Sequence, residues 1–151
     1  MSTPALSPAE LEHFLTYGFI KVPQAVDQQV IQRSVERMWV RLGYDPADPT
    51  TWTAGKIHMP THERFAVQDV APRAYAAICQ LCGGAERIHN PVWGDSFIAN
   101  FHLGDGHAWV PPGPQAEGWH KDGDFFRHFL DSAEQALLTI VLWSDVHSQG
   151  G

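Results

Sequence analysis

The sequence has little cysteine, little positive charge and no long apolar run. Its two cysteines, Cys79 and Cys82, form a Cys-x-x-Cys without the second pair that a zinc ribbon requires. They close a helical pattern just before Gly83 and Gly84, not the strand–helix–strand setting of a redox dithiol. They therefore read as small, half-buried helix residues one turn apart. Only 10 Lys and Arg stand against 17 Asp and Glu, a formal net charge of −7. No basic run occurs, which argues against a nucleic-acid partner, since phosphate binding needs a concentrated basic footprint. No apolar stretch is long enough to span a bilayer, and no charged-then-apolar leader opens the sequence. A soluble, cytoplasmic protein without a membrane partner is the expectation.

What is present fits one domain over 1–151, with 44% hydrophobic residues and a generous 6 Trp and 8 Phe. Ser7, Pro8 and Glu10 make a helix start with a capping box, Leu6 and Leu11 stand where a hydrophobic staple would, and Gly18 ends the helix. Phe19–Val22 reads as a short strand closed by Pro23. Asp27 caps a second helix whose apolar positions Val30, Ile31, Val35, Met38, Trp39 and Leu42 recur at helical spacing until Gly43. From Tyr44 to about Val70 no period is clear, and a long ordered loop with one short strand is expected. A third helix spans about Pro72 to Cys82, with Tyr75, Ile78 and Cys82 inward. Beyond Val92 the texture turns to strands: Trp93 to His102, a break at Gly104–Gly106, a Pro- and Gly-rich loop from Val110 to Gly118, and the apolar run Leu137 to Trp143. The last is expected to be covered on both faces. Helices first and strands after give an α+β class, with a mainly helical part over 1–91 and a β core from 92 to 151.

The chemistry-bearing stretch is Gly118-Trp119-His120-Lys121-Asp122-Gly123. On an extended strand His120 and Asp122 share a face, and together they supply two of the three ligands of a 2-His-1-carboxylate iron site. The pair alone is weak. With 9 His in the chain and its ten Asp, about 0.6 His-x-Asp pairs arise by chance. A surface ion pair on a strand is the competing reading.

Four segments, in order, resemble the phytanoyl-CoA dioxygenase family and its ectoine hydroxylase relatives. Leu6–Glu10 through Tyr17–Val22 is similar to the family's opening helix and Gly-Phe-hydrophobic strand. Asp95–Phe101 resembles the strand before the metal motif, Trp119-His120-Lys121-Asp122 the Trp-His-x-Asp, and Leu138–Val146 with Gln149-Gly150-Gly151 the following strand and turn. The resemblance implies a double-stranded β-helix (a jelly-roll, cupin-like barrel), incomplete here, flanked by N-terminal helices. It implies Fe(II) on His120, Asp122 and a distal His, with 2-oxoglutarate as cosubstrate contacted by Asn100 and, more weakly, by Thr139 and Trp143. The implied reaction hydroxylates a small molecule with dioxygen while 2-oxoglutarate is decarboxylated to succinate and CO2. An Asp at position 122 favours hydroxylation over halogenation.

The departure is downstream. Family members continue into a Gly-Ser-His and an Arg that holds the far carboxylate of 2-oxoglutarate, and neither is present, so the chain looks truncated before the distal His. His147 and His128 are poor substitutes by position, and His102 and His107 read as a polar edge near the Gly-rich loop. Two other classes stay open: a non-catalytic metal-binding cupin-like module, and a pseudoenzyme interaction domain. The aromatics Trp93, Trp119, Phe125, Phe126 and Phe129 suit an apolar or ring-bearing small molecule or a packed core. Asp124 and Arg127 could orient polar groups of a substrate or lie in a solvated loop. The acidic balance disfavours an anionic CoA ester, although a local basic cluster such as Lys56, Arg64 and Arg73 could override it.

Overall fold

The computed structural model describes residues 5–101 and 137–146, with 111, 113, 114, 120, 122, 123, 127, 129 and 132. The chain divides into two compact units, Met1–Phe101 and His102–Gly151. Among the described residues the secondary structure is a mixture of helices and two short antiparallel sheets.

Helix α1, Pro8–Tyr17, begins as its sequence dictates. The Ser7 hydroxyl accepts from the Glu10 N–H, the Glu10 carboxylate accepts from the Ser7 N–H at 2.7 Å, and Gly18 closes the helix in the left-handed region at φ 77°. The Ser7 backbone and hydroxyl, with a smaller contribution from Arg73, hold the Glu10 carboxyl below the ordinary Glu range. A carboxyl depressed on folding stabilises above its unfolded pKa, and that stability is lost as pH falls through the folded value. The difference in Tm between the native chain and Glu10→Gln is therefore expected to be full above the ordinary Glu range and to be lost as pH falls below it. Thermal melts across that range check it. Just before this helix, Leu6 is buried, and its backbone N–H and C=O are both engaged by the Gln80 side-chain amide at 2.9 and 3.3 Å.

The sequence reading of Phe19–Val22 as a strand is not met. These residues have no ladder partner, and Phe19 lies 61% exposed against the His13 ring. Alternation is visible there, but a strand needs a neighbour that local pattern cannot supply.

Helix α2, Gln28–Leu42, starts at Asp27, whose carboxylate accepts from the N–H groups of Gln29 and Val30, and ends at Gly43. Its six expected inward residues are all half-buried, and Ser34 is the one fully buried. The following segment holds more structure than its lack of period suggested. A 3₁₀ turn at Pro49–Thr51 is followed by β1 (Lys56–His58), β2 (Arg64–Ala66) and the single-turn α3 (Val67–Val70). Helix α4, Pro72–Cys82, occupies the expected span, with Ala74 and Ala77 buried and Tyr75, Ile78 and Cys82 half-buried. A 3₁₀ turn at Ala85–Arg87 leads to β3 (Val92–Gly94) and β4 (Ile98–Asn100). The small core lies where α3 meets α4: Val67, Ala71 and Ala74 are buried, with Val26, Ile78 and Trp93 packed around them.

The stretch from Trp93 was expected to be one strand. It is two, in different sheets: β3 pairs with β2 (Phe65 opposite Trp93), and β4 pairs with β1 (Ile57 opposite Ala99). Bonds from Met59 N–H to Phe97 O (2.8 Å) and from Asp95 N–H to Glu63 O (3.1 Å) continue the same antiparallel sense between the two sheets. The arrangement is one ribbon interrupted by a bulge, where Pro60, Thr61 and His62 stand against Ser96 alone. Asp95 causes the interruption. Its buried carboxylate accepts from the His62 N–H (2.6 Å) and the Glu63 N–H (2.8 Å) through one oxygen and from Arg41 of α2 (2.8 Å) through the other. Arg41 also donates to the Pro60 carbonyl. Gly94 lets the bulge close, because a Cβ there would meet the Thr61 methyl at 2.8 Å.

β4 ends against an aromatic cluster. The Phe101 ring lies 5.6, 5.4 and 5.3 Å from those of Trp39, Tyr44 and Trp52. Trp52 is fixed in turn by its indole N–H to the Asp45 carbonyl. This fastens the C-terminal end of β4, and hence Asn100, to the end of α2.

In the second unit, residues 137–146 carry no ladder, and Leu138, Ile140 and Leu142 are 66%, 77% and 56% exposed. A covering layer on both faces of this run is not seen among the described residues. Apolar composition alone does not bury a strand; neighbouring strands and a covering layer do. No helix among the described residues is long and apolar enough to cross a membrane.

Candidate metal centre

His120 and Asp122 lie together in the second unit. The imidazole Nε2 is 3.2 Å from the Asp122 carboxylate oxygen, and the side chains are 66% and 62% exposed. The sequence reading set both on an extended strand. Here Asp122 and Gly123 form a turn, with Gly123 in the left-handed region at φ 77°. The side chains converge all the same, because a spacing of two residues keeps them adjacent through the turn.

This separation suits a shared cation as well as a direct contact. Two donor atoms each about 2.1 Å from one metal at a right angle lie about 3 Å apart. An imidazole and a carboxylate are also the donor types of the iron facial triad. The fit is partial. Among the described residues no three His, Cys, Asp or Glu side chains converge. His102, His107, His128 and His147, like Trp119, Lys121, Phe125, Phe126 and Asp124 and the Gly-rich and terminal turns, lie outside the described residues.

The three expected cosubstrate residues belong to different units. Asn100 belongs to the first unit, exposed at the end of β4, where its Nδ2 donates to the Ile98 carbonyl at 3.3 Å. Thr139, exposed, and Trp143, half-buried, belong to the second unit. Arg73 of the expected basic cluster is engaged elsewhere, donating to the Pro23 carbonyl and lying 3.9 Å from Glu10. Cys79 and Cys82 are free and half-buried, as the composition suggested. A hydrogen bond with Cys79 and the onset of burial hold the Tyr75 hydroxyl above its ordinary range.

Sequence reasoning missed the Arg41–Asp95 clamp. Its signal was an acidic residue inside the apolar run from Trp93 to Phe101. The clamp lines an open depression of about 660 Å³ with Glu36, Arg37, Val40, His62 and Glu63. The Arg37 and Arg41 guanidinium groups are already paired with Glu63 and Asp95, so the depression stands as a structural joint. Comparison with protein-family models, with curated proteins and with solved structures returns no match.

Proposed function

We propose that the chain carries part of the site of an Fe(II)/2-oxoglutarate-dependent oxygenase that hydroxylates a small molecule, built on a double-stranded β-helix. The observation that supports this most is the 3.2 Å approach of His120 Nε2 to Asp122, within a sequence order that resembles the phytanoyl-CoA dioxygenase family. In this reading His120 and Asp122 hold the metal, and the Asp122 carboxylate offsets part of its charge. Asn100, Thr139 and Trp143 line the cosubstrate pocket. When bound, iron and 2-oxoglutarate convert dioxygen and a substrate C–H into a C–OH, with succinate and CO2 as the other products. A third protein ligand completes the triad, and it is not among the described residues.

The exposure of His120 and Asp122 (66% and 62%) favours a second reading, a metal-binding or purely interacting module that keeps the pair without catalysis. Succinate formation separates the two. With Fe(II), dioxygen and 2-oxoglutarate, the oxygenase forms succinate, and Asp122→Ala abolishes it. Iron binding that leaves 2-oxoglutarate intact would establish the non-catalytic module.

A further inference from the structure

The two cysteines of α4 belong to the first unit and have no part in the His120–Asp122 pair. Tyr75, Cys79 and Cys82 follow one another at four and three residues, so they form one stripe along the helix. All three are half-buried, and both thiols are free. The Tyr75 hydroxyl is hydrogen-bonded to the Cys79 sulfur. At the helix end the Cys79 carbonyl accepts from the N–H groups of Gly83 and of Gly84, the latter at 2.8 Å. This double acceptor closes the last turn and so fixes the spacing of the two cysteines.

That spacing decides what can join them. Residues three apart on a helix have Cβ atoms about 5–6 Å from one another. A disulfide draws its Cβ atoms to about 3.5–4.5 Å, so it would require the closed last turn to open. A metal ion bridges the wider gap, since two metal–sulfur bonds of about 2.3 Å in line place the sulfurs about 4.6 Å apart. Among the described residues no group of three His, Cys, Asp or Glu side chains could hold a metal. Two thiolates would leave a tetrahedral zinc ion half-coordinated. A monovalent d10 cation is satisfied by two, and thiolate is the donor type that selects copper(I). The last turn of a helix, where the carbonyl dipoles point outward, also favours a cation. Tyr75 adds the outer contact, its O–H donating to the Cys79 sulfur once that thiol has lost its proton.

We infer that α4 binds one copper(I) ion between the sulfurs of Cys79 and Cys82. Two thiols and one Cu(I) give a bis-thiolate complex, and both thiol protons pass to solvent. No electron is transferred. The site uses neither His120, Asp122 nor iron, so it stands or falls independently of the oxygenase reading.

The test is an anaerobic titration of the reduced chain with Cu(I) in competition with the chromophoric chelator bicinchoninate. One ion per chain is expected, with a thiolate-to-copper charge-transfer band in the ultraviolet. Cys79→Ser and Cys82→Ser are each expected to weaken binding by about 100-fold or more, and Tyr75→Phe by about 10-fold with the stoichiometry unchanged. His120→Ala is expected to change nothing, and unchanged thermal melting verifies that the variants fold. On the native chain itself, X-ray absorption is expected to count two sulfurs on copper, with two protons released per ion bound. No binding by the native chain, binding that survives either cysteine replacement, or binding that needs two chains per ion overturns the proposal. Quantitative closure of a Cys79–Cys82 disulfide by oxidised glutathione in a chain that takes no copper also overturns it, and makes the pair a redox dithiol.

Discussion

Asp95→Ala is expected to cost the first unit about 3–5 kcal/mol and to lower its Tm by more than about 10 °C. The side chain is only 5% exposed and its partner Arg41 15%. Removing the carboxylate strands a largely buried guanidinium and takes the acceptor from the N–H groups of His62 and Glu63. The two losses can be separated. In Arg41→Met/Asp95→Ala the orphaned charge is gone but the two backbone donors still lack their acceptor, so about 1–2 kcal/mol is recovered and the rest persists. Urea unfolding of the single and double variants measures both. A loss under about 1 kcal/mol in the single variant would show that the bulge holds itself without the clamp.

His120→Ala is expected to weaken Fe(II) binding by about 100-fold or more, because even outer-shell partners of metal ligands are worth 10–100-fold. Replacements at the cosubstrate positions should behave differently. Asn100→Ala or Thr139→Ala is expected to leave the metal affinity within about twofold, since neither supplies an imidazole or carboxylate, and to weaken only the 2-oxoglutarate-dependent part of the signal. Calorimetric titrations with and without the keto acid distinguish these patterns. Equal losses at His120 and Asn100 would mean that general destabilisation, and not ligation, is being read.

Local chemistry explains why the helices were legible. Ser7 with Glu10, Asp27, and the glycines at 18, 43 and 83 act on backbone groups within one turn, so their sequence spacing is their structural spacing. The ribbon was not legible for the opposite reason. β1 and β4 are three residues each and lie some forty positions apart, and nothing in Lys56–His58 names its partner. Asp95 split the expected strand because a buried carboxylate claimed the neighbouring backbone, an effect that apolar pattern cannot reveal. For Leu138, Ile140 and Leu142, which are exposed, residue type suggests burial, but burial depends on neighbours that local sequence does not name. The closeness of His120 to Asp122 was legible because two residues of separation suffice to bring their side chains together. A third ligand is a long-range matter, and sequence spacing carries no information about it.

The central claim is tested most directly by anaerobic addition of Fe(II) to the chain, with and without 2-oxoglutarate, followed by visible absorption. The account predicts a charge-transfer band that requires both iron and the keto acid and is absent in His120→Ala. Iron binding that is indifferent to 2-oxoglutarate, or a band that survives the His120 replacement, would contradict it.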